Sequence, residues 1–193
     1  MAKARAIGRL NAQAPTGVNA RTIARIRLEE LYSWEEYVGN PYRVRELHNL
    51  RISAKRLRYT LEIFQEVLPE AVAPIIKEVE QIQEELGALH DSDVLIALLR
   101  LCLGGQDSGT AYEQALMKAT HRKGKGRFAL DPEMVTYLVD PTASPSPEQR
   151  GGLEKLLLKS EGRREEQYSA FLHHWSQLQS RNLRQEVLDL LNA

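Results

Sequence analysis

The sequence predicts an all-α fold: a four-helix bundle of long amphipathic helices, with a long irregular connection before the fourth and a short C-terminal helix. Three observations predict it. Apolar residues recur at spacings of three and four over stretches of twenty residues or more, strand-like alternation is nearly absent, and Gly, Asn and Pro punctuate the chain between the stretches. At 42% hydrophobic and 27% charged, the 193 residues sit near the globular average, which excludes the disordered and collagen-like classes. No apolar run approaches the length of a membrane span, so no membrane partner is expected.

Residues 1–17 read as a flexible basic tail with Lys3, Arg5 and Arg9. They lack the apolar core of a secretory signal, so a cytoplasmic protein is expected. The helical domain is expected over 18–193. Its first helix, about Val18 to Val38, carries Ala24, Leu28, Leu31 and Tyr32 at helical spacing and is stopped by Gly39, Asn40 and Pro41. The second runs from about Tyr42 to Val67, with Leu47, Leu50, Ala54, Leu57, Leu61 and Phe64 on one stripe. The third opens near Pro74 and continues to about Leu103, with Val79, Ile82, Leu86 and Leu89 inward and Glu78, Glu80, Glu84 and Glu85 outward.

Gly87 inside the third helix costs about 1 kcal/mol relative to Ala, a sign of close helix packing. Residues 104–149 read as a long mobile connection or insertion, with a short amphipathic piece at Ala111 to Thr120 and the basic run His121 to Arg127. The fourth helix is expected from about Pro147 to Gln179 and the last from about Leu183 to Leu191. The lone cysteine, Cys102, lies among Leu98, Leu99, Leu101 and Leu103 and reads as a small core residue.

Lys plus Arg equals Asp plus Glu at 26 each, which taken alone argues against a polyanion ligand. The distribution along the chain reverses that. Residues 1–61 hold 12 bases against 5 acids, residues 62–100 hold 2 against 9, and the remainder balances. A basic face on the first two helices is thus offset by an acidic third helix.

The second helix concentrates the charge. At 100° per residue, His48, Arg51, Lys55 and Arg58 fall in a stripe about 80° wide beside the leucine stripe. Their ladder is about 15 Å long at 1.5 Å per residue. Like charges at such spacings destabilise a helix by a few tenths of a kcal/mol per pair, so something must compensate. Two compensations are open: interhelical salt bridges to the acidic third helix, or a polyanionic ligand held by forked Arg and point-charge Lys donors. Arg21 and Arg25 flank the apolar stripe of the first helix.

On the fourth helix, Arg164 lies within the stripe Leu153, Leu156, Leu157, Phe171, Trp175 and Leu178, with Ser160 and Gln167 a turn away on either side. A charge there is costly unless paired or wet. It belongs either to a polar channel bordered by Lys159 and Arg163, or to one buried ion pair with Asp91, Asp93 or Glu62.

The run Leu47-His48-Asn49-Leu50-Arg51-Ile52-Ser53-Ala54-Lys55-Arg56-Leu57-Arg58-Tyr59-Thr60-Leu61-Glu62-Ile63-Phe64, followed by Leu86-Gly87-Ala88-Leu89-His90-Asp91-Ser92-Asp93-Val94-Leu95, resembles the CHAD family, the conserved histidine α-helical domain. The resemblance is strong over about 18–103 and looser over about 150–193. It implies a helical fold with a basic groove that binds inorganic polyphosphate, without catalysis or cofactor, often in proteins targeted to polyphosphate granules. By position, the family histidine falls on His48 and the basic helix on Arg51, Lys55, Arg56 and Arg58. Adding the neighbouring bases extends the expected polyphosphate set to Arg21, Arg25, Arg45, Lys159, Arg163 and Arg164. A second basic helix of the family's longer, two-repeat members is missing, so a short single-bundle form is expected.

Other chemistry finds little support. His90-Asp91 is similar to the metal pair of HD phosphohydrolases, but the remaining ligands at that spacing are absent, so Asp91 and Asp93 are expected to make structural hydrogen bonds or pair with arginines, and no metal site is expected. His173 and His174 stand about 100° apart on a helix, with His174 toward the bundle and His173 toward solvent. Nucleic acid is the rival ligand. It is disfavoured because Tyr32, Tyr37, Tyr42 and Tyr59 read as packing residues rather than a base-stacking platform. Oligomerisation is left open by the sequence.

Overall fold

The computed structural model describes residues 4–8, 10–104 and 145–192, and among these every regular element is helical. Among the described residues five α-helices follow in order: α1 Thr16–Tyr32, α2 Val44–Ile63, α3 Val72–Cys102, α4 Pro147–Ser180 and α5 Leu183–Asn192. The expectations for Ala111 to Thr120 and for the basic run at 121–127 lie outside the described residues.

Two of the expected helices end early. The first was expected to reach Val38, but α1 stops at Tyr32 and a single 3-10 turn, Glu35–Tyr37, follows. The Ser33 hydroxyl donates to the Glu30 carbonyl at 2.7 Å, and Trp34 leaves helical geometry at φ −102°, ψ 0°. Likewise α2 ends at Ile63 and a 3-10 turn, Gln65–Val67, completes the segment. The start of α4 is well specified: Gln149 N–H donates to Ser146 Oγ at 3.2 Å while Ser146 N–H donates to Gln149 Oε1 at 2.8 Å, a capping box with Pro147 in the first helical position. Asn182, at φ 58°, supplies the left-handed residue between α4 and α5.

The chain forms two compact units. The first comprises Met1–His90 with Gln167–Ala193 and holds the main core. Ala20, Ala24, Leu28 and Leu31 of α1 meet Leu47, Leu50, Ala54, Leu57 and Leu61 of α2, together with Val79, Ile82, Leu86 and Leu89 of α3 and Phe171, Trp175 and Leu178 of α4. Each fully buried leucine or phenylalanine contributes roughly 1.5–3 kcal/mol. Small Ala20, Ala24 and Ala54 let the helices approach. Tyr168 is buried and donates its hydroxyl to the Val38 carbonyl at 2.8 Å, tying α4 to the turn after α1.

The N-terminal segment lies along α1. Arg5 pairs with Glu29 at 3.6 Å, the Arg5 carbonyl accepts from Arg27 at 3.1 Å, and Asn11 and Asn19 exchange two hydrogen bonds at 2.8 and 3.0 Å.

The second unit is Asp91–Glu166. Ile96, Leu98, Leu99 and Cys102 are buried there, Cys102 as expected, and burial pushes its thiol up. The leucine stripe expected on the first half of α4 is less covered than its period suggested, with Leu156 40% exposed. Helical period tells which side chains share a face, and a second element must still cover that face.

Candidate functional site

In the first unit, α2 and α3 run antiparallel in a register that decides the fate of each basic residue. The His48 ring lies against His90 with centroids 4.3 Å apart, Arg51 lies against Gly87, and Arg58 donates to Glu80 at 3.0 Å. Moving along α2 from 48 to 51 to 58 thus moves back along α3 from 90 to 87 to 80. Arg51 meets bare helix. A Cβ built on Gly87 would stand 3.3 Å from Arg51 Nε, and that Nε is buried with no hydrogen-bond partner in the structure.

The other basic residues divide into two groups. Arg56 pairs with Glu30, which is only 3% exposed and also accepts from Arg27 at 2.7 Å. Arg58 is held by Glu62 at 3.3 Å as well as by Glu80. Arg25 is spent on the end of α5, donating to the Leu191 carbonyl at 2.7 Å and to Asn192 Oδ1 at 2.6 Å, where a cation stabilises the helix C-terminus.

Arg21, Arg45, Arg51 and Lys55 have no acidic partner among the described residues. Arg21 Nε on α1 is buried without a hydrogen bond, as in Arg51. Arg45 is exposed on the first turn of α2. The Lys55 ammonium lies 5.5 Å from the centre of the Tyr59 ring, and the Arg58 guanidinium lies 4.9 Å from the same ring.

Tyr59 and Tyr42 correct an expectation. The sequence pattern predicts packing residues at both positions, but Tyr42 is 88% and Tyr59 42% exposed. The Tyr59 ring instead serves as a surface on which two cations rest, and Tyr42 sits in the loop after Pro41, before α2 begins.

The acidic face of α3 also points differently from the expectation. Glu78 and Glu85 were placed outward, yet both are partly buried against His174 of α4. His174 Nδ1 is 2.8 Å from Glu85 and its Nε2 is 3.4 Å from Glu78, which also accepts from Arg181 at 2.8 Å. Burial pushes the Glu78 carboxyl up, but the donors Arg181 and His174 outweigh it and hold the group below its usual range. His174 is buried and His173 exposed, as their spacing suggested.

In the second unit, Arg164 is ion-paired with Asp93, one of the three acids open to it in the sequence. Burial raises the Asp93 carboxyl above its usual range, opposed by the Arg164 charge. Ser160 donates to the Leu156 carbonyl at 2.8 Å, while Lys159 and Arg163 are exposed.

Glu30 is the residue that sequence reasoning missed. Its signal was present, because Arg27 stands three residues before it and both border the α1 stripe.

A family model described as CHAD domain matches residues 2–100. The chain belongs to the CHAD family. The match takes in α1, α2 and most of α3, and it includes the N-terminal segment that the sequence pattern set apart as a tail. CHAD domains are associated with polyphosphate binding, and His48, Arg51, Lys55 and the Gly87–His90 turn all fall inside the matched span. The loosely similar residues 150–193 lie outside it. Comparison with curated proteins and with solved structures gives no match. Among the described residues, no helix is long and apolar enough to cross a membrane.

Proposed function

We propose that this CHAD domain binds inorganic polyphosphate, without chemical turnover, along the part of α2 that carries His48, Arg51 and Lys55, with Arg21 of α1 as a further donor. The supporting observation is the missing counter-charge. Four glutamates decorate α3, yet where α3 meets Arg51 it presents Gly87 and no acid. A partly buried guanidinium without an anion is costly, and a row of phosphates supplies anions at repeating intervals. Arg58, Arg56, Arg25 and Arg164 already hold protein acceptors and give up less to the ligand. The same reading places the protein in the cytoplasm, on polyphosphate granules.

A second reading, nucleic-acid phosphate, is favoured by the exposed Tyr42 and Tyr59. One titration separates the two. Long-chain polyphosphate and double-stranded DNA are compared at equal phosphate concentration and two salt levels, because every such affinity falls with salt. Preference for polyphosphate is the expected result. Comparable binding to both identifies a generic basic patch, and binding to neither identifies a structural bundle.

His48 adds a pH dependence. Its imidazole, ordinarily titrating near about 6.5, gains charge beside a polyanion as pH falls, so binding strengthens from about pH 8 to about pH 6. A His48→Gln variant that kept the whole pH dependence would remove this role.

A further inference from the structure

We propose that Gly87 is a positioning residue for Arg51: the missing side chain on α3 is the seat in which the guanidinium lies, an inference that rests on the polyphosphate reading above. Gly87 stands inside a continuous helix, without the positive φ that would call for glycine on backbone grounds. Its use is therefore spatial.

The three atoms nearest to a Cβ built there all belong to Arg51: Nε at 3.3 Å, Nη2 at 3.7 Å and Cζ at 3.9 Å. The glycines at 151, 152 and 162, also inside a helix, would meet nothing within 4 Å. Nor is Arg51 fixed in any other evident way, since its Nε makes no hydrogen bond and no acid among the described residues pairs with it. The guanidinium therefore lies in the space that a side chain at 87 would take. An alanine methyl at 87 moves the end of a flexible side chain by a few tenths of an ångström. The fold survives that shift, but the donor fork leaves its place.

Stability and affinity are thus expected to move in opposite directions. Gly87→Ala should keep its helicity and melt at the same or a higher temperature, because Ala is the better helix former. Its affinity for long-chain polyphosphate should fall about tenfold, the scale of one misplaced charge-assisted hydrogen-bond pair. In an Arg51→Ala background the same substitution should cause no further loss, since it acts through Arg51. Gly162→Ala, placed in open space, controls for helix propensity and should bind like the unmodified protein.

Wild-type affinity in Gly87→Ala would overturn the seat, as would a full additional loss in the Arg51→Ala background. A drop in melting temperature would overturn it too, because the methyl would then be striking something less movable than a side chain. If the unmodified protein and Arg51→Ala bind polyphosphate equally, the binding reading itself fails and this inference falls with it. A normal loss in Arg51→Ala beside an unaffected Gly87→Ala removes the seat alone.

Discussion

Arg51 and Arg58 stand two turns apart on one stripe of α2 and face the same helix, yet α3 treats them oppositely. Arg58 meets Glu80, with Glu62 one turn further along its own helix, and is neutralised. Arg51 meets Gly87 and has no acidic partner among the described residues. One of the two compensations open to the sequence, salt bridges to an acidic helix, is in use at one end of the ladder; the other end is where the proposed polyphosphate would supply the anion. A cation's role follows from the residue opposite it in register, which the α2 stripe alone does not reveal.

The neutralised group can be broken first, where the expected effect is largest. Glu30 is buried between Arg27 and Arg56, and removing one partner of a buried ion pair costs about 3 kcal/mol or more. Glu30→Gln should lose that much in urea denaturation while its polyphosphate affinity does not weaken. Unchanged stability would show that the triad is incidental.

A smaller effect is expected at Glu78, whose carboxyl is held below its ordinary 4.5 by Arg181 and His174 despite burial. A carboxylate with a depressed folded-state pKa contributes stability that is present above its unfolded pKa and lost as pH falls through the folded one. The Arg181 side of the cluster is half exposed and partly screened. Glu78→Gln should therefore cost about 1 kcal/mol near neutral pH, with the difference from the unmodified protein closing below about pH 4.5. A penalty independent of pH would mean that packing, not charge, holds the cluster.

The main helices and most of the core were legible, because a period of 3.6 places Leu47, Leu50, Leu57 and Leu61 on one face whatever else the chain does. The basic ladder was legible for the same reason. Other features were not. The end of α1 was misplaced because its apolar spacing continues to Val38, while the backbone leaves helical geometry at Trp34. The exposure of Tyr42 and Tyr59 was missed because aromatic spacing does not tell whether a neighbouring helix arrives. The division between Arg51 and Arg58 depends on antiparallel register, a property of two helices together. The capping box at Ser146 and Gln149, by contrast, was available in the sequence as Ser-Pro-Glu-Gln.

The division itself is tested most directly by titrating polyphosphate against Arg51→Ala and Arg58→Ala side by side at one salt concentration, with urea denaturation of both. Arg51→Ala should lose about tenfold or more in affinity with its stability nearly unchanged. Arg58→Ala should lose less affinity, about threefold, and more stability, about 1 kcal/mol, through its two carboxylate partners. Equal affinity losses, or a larger one at Arg58, would contradict the claim that the residue opposite on α3 decides which arginine binds the ligand.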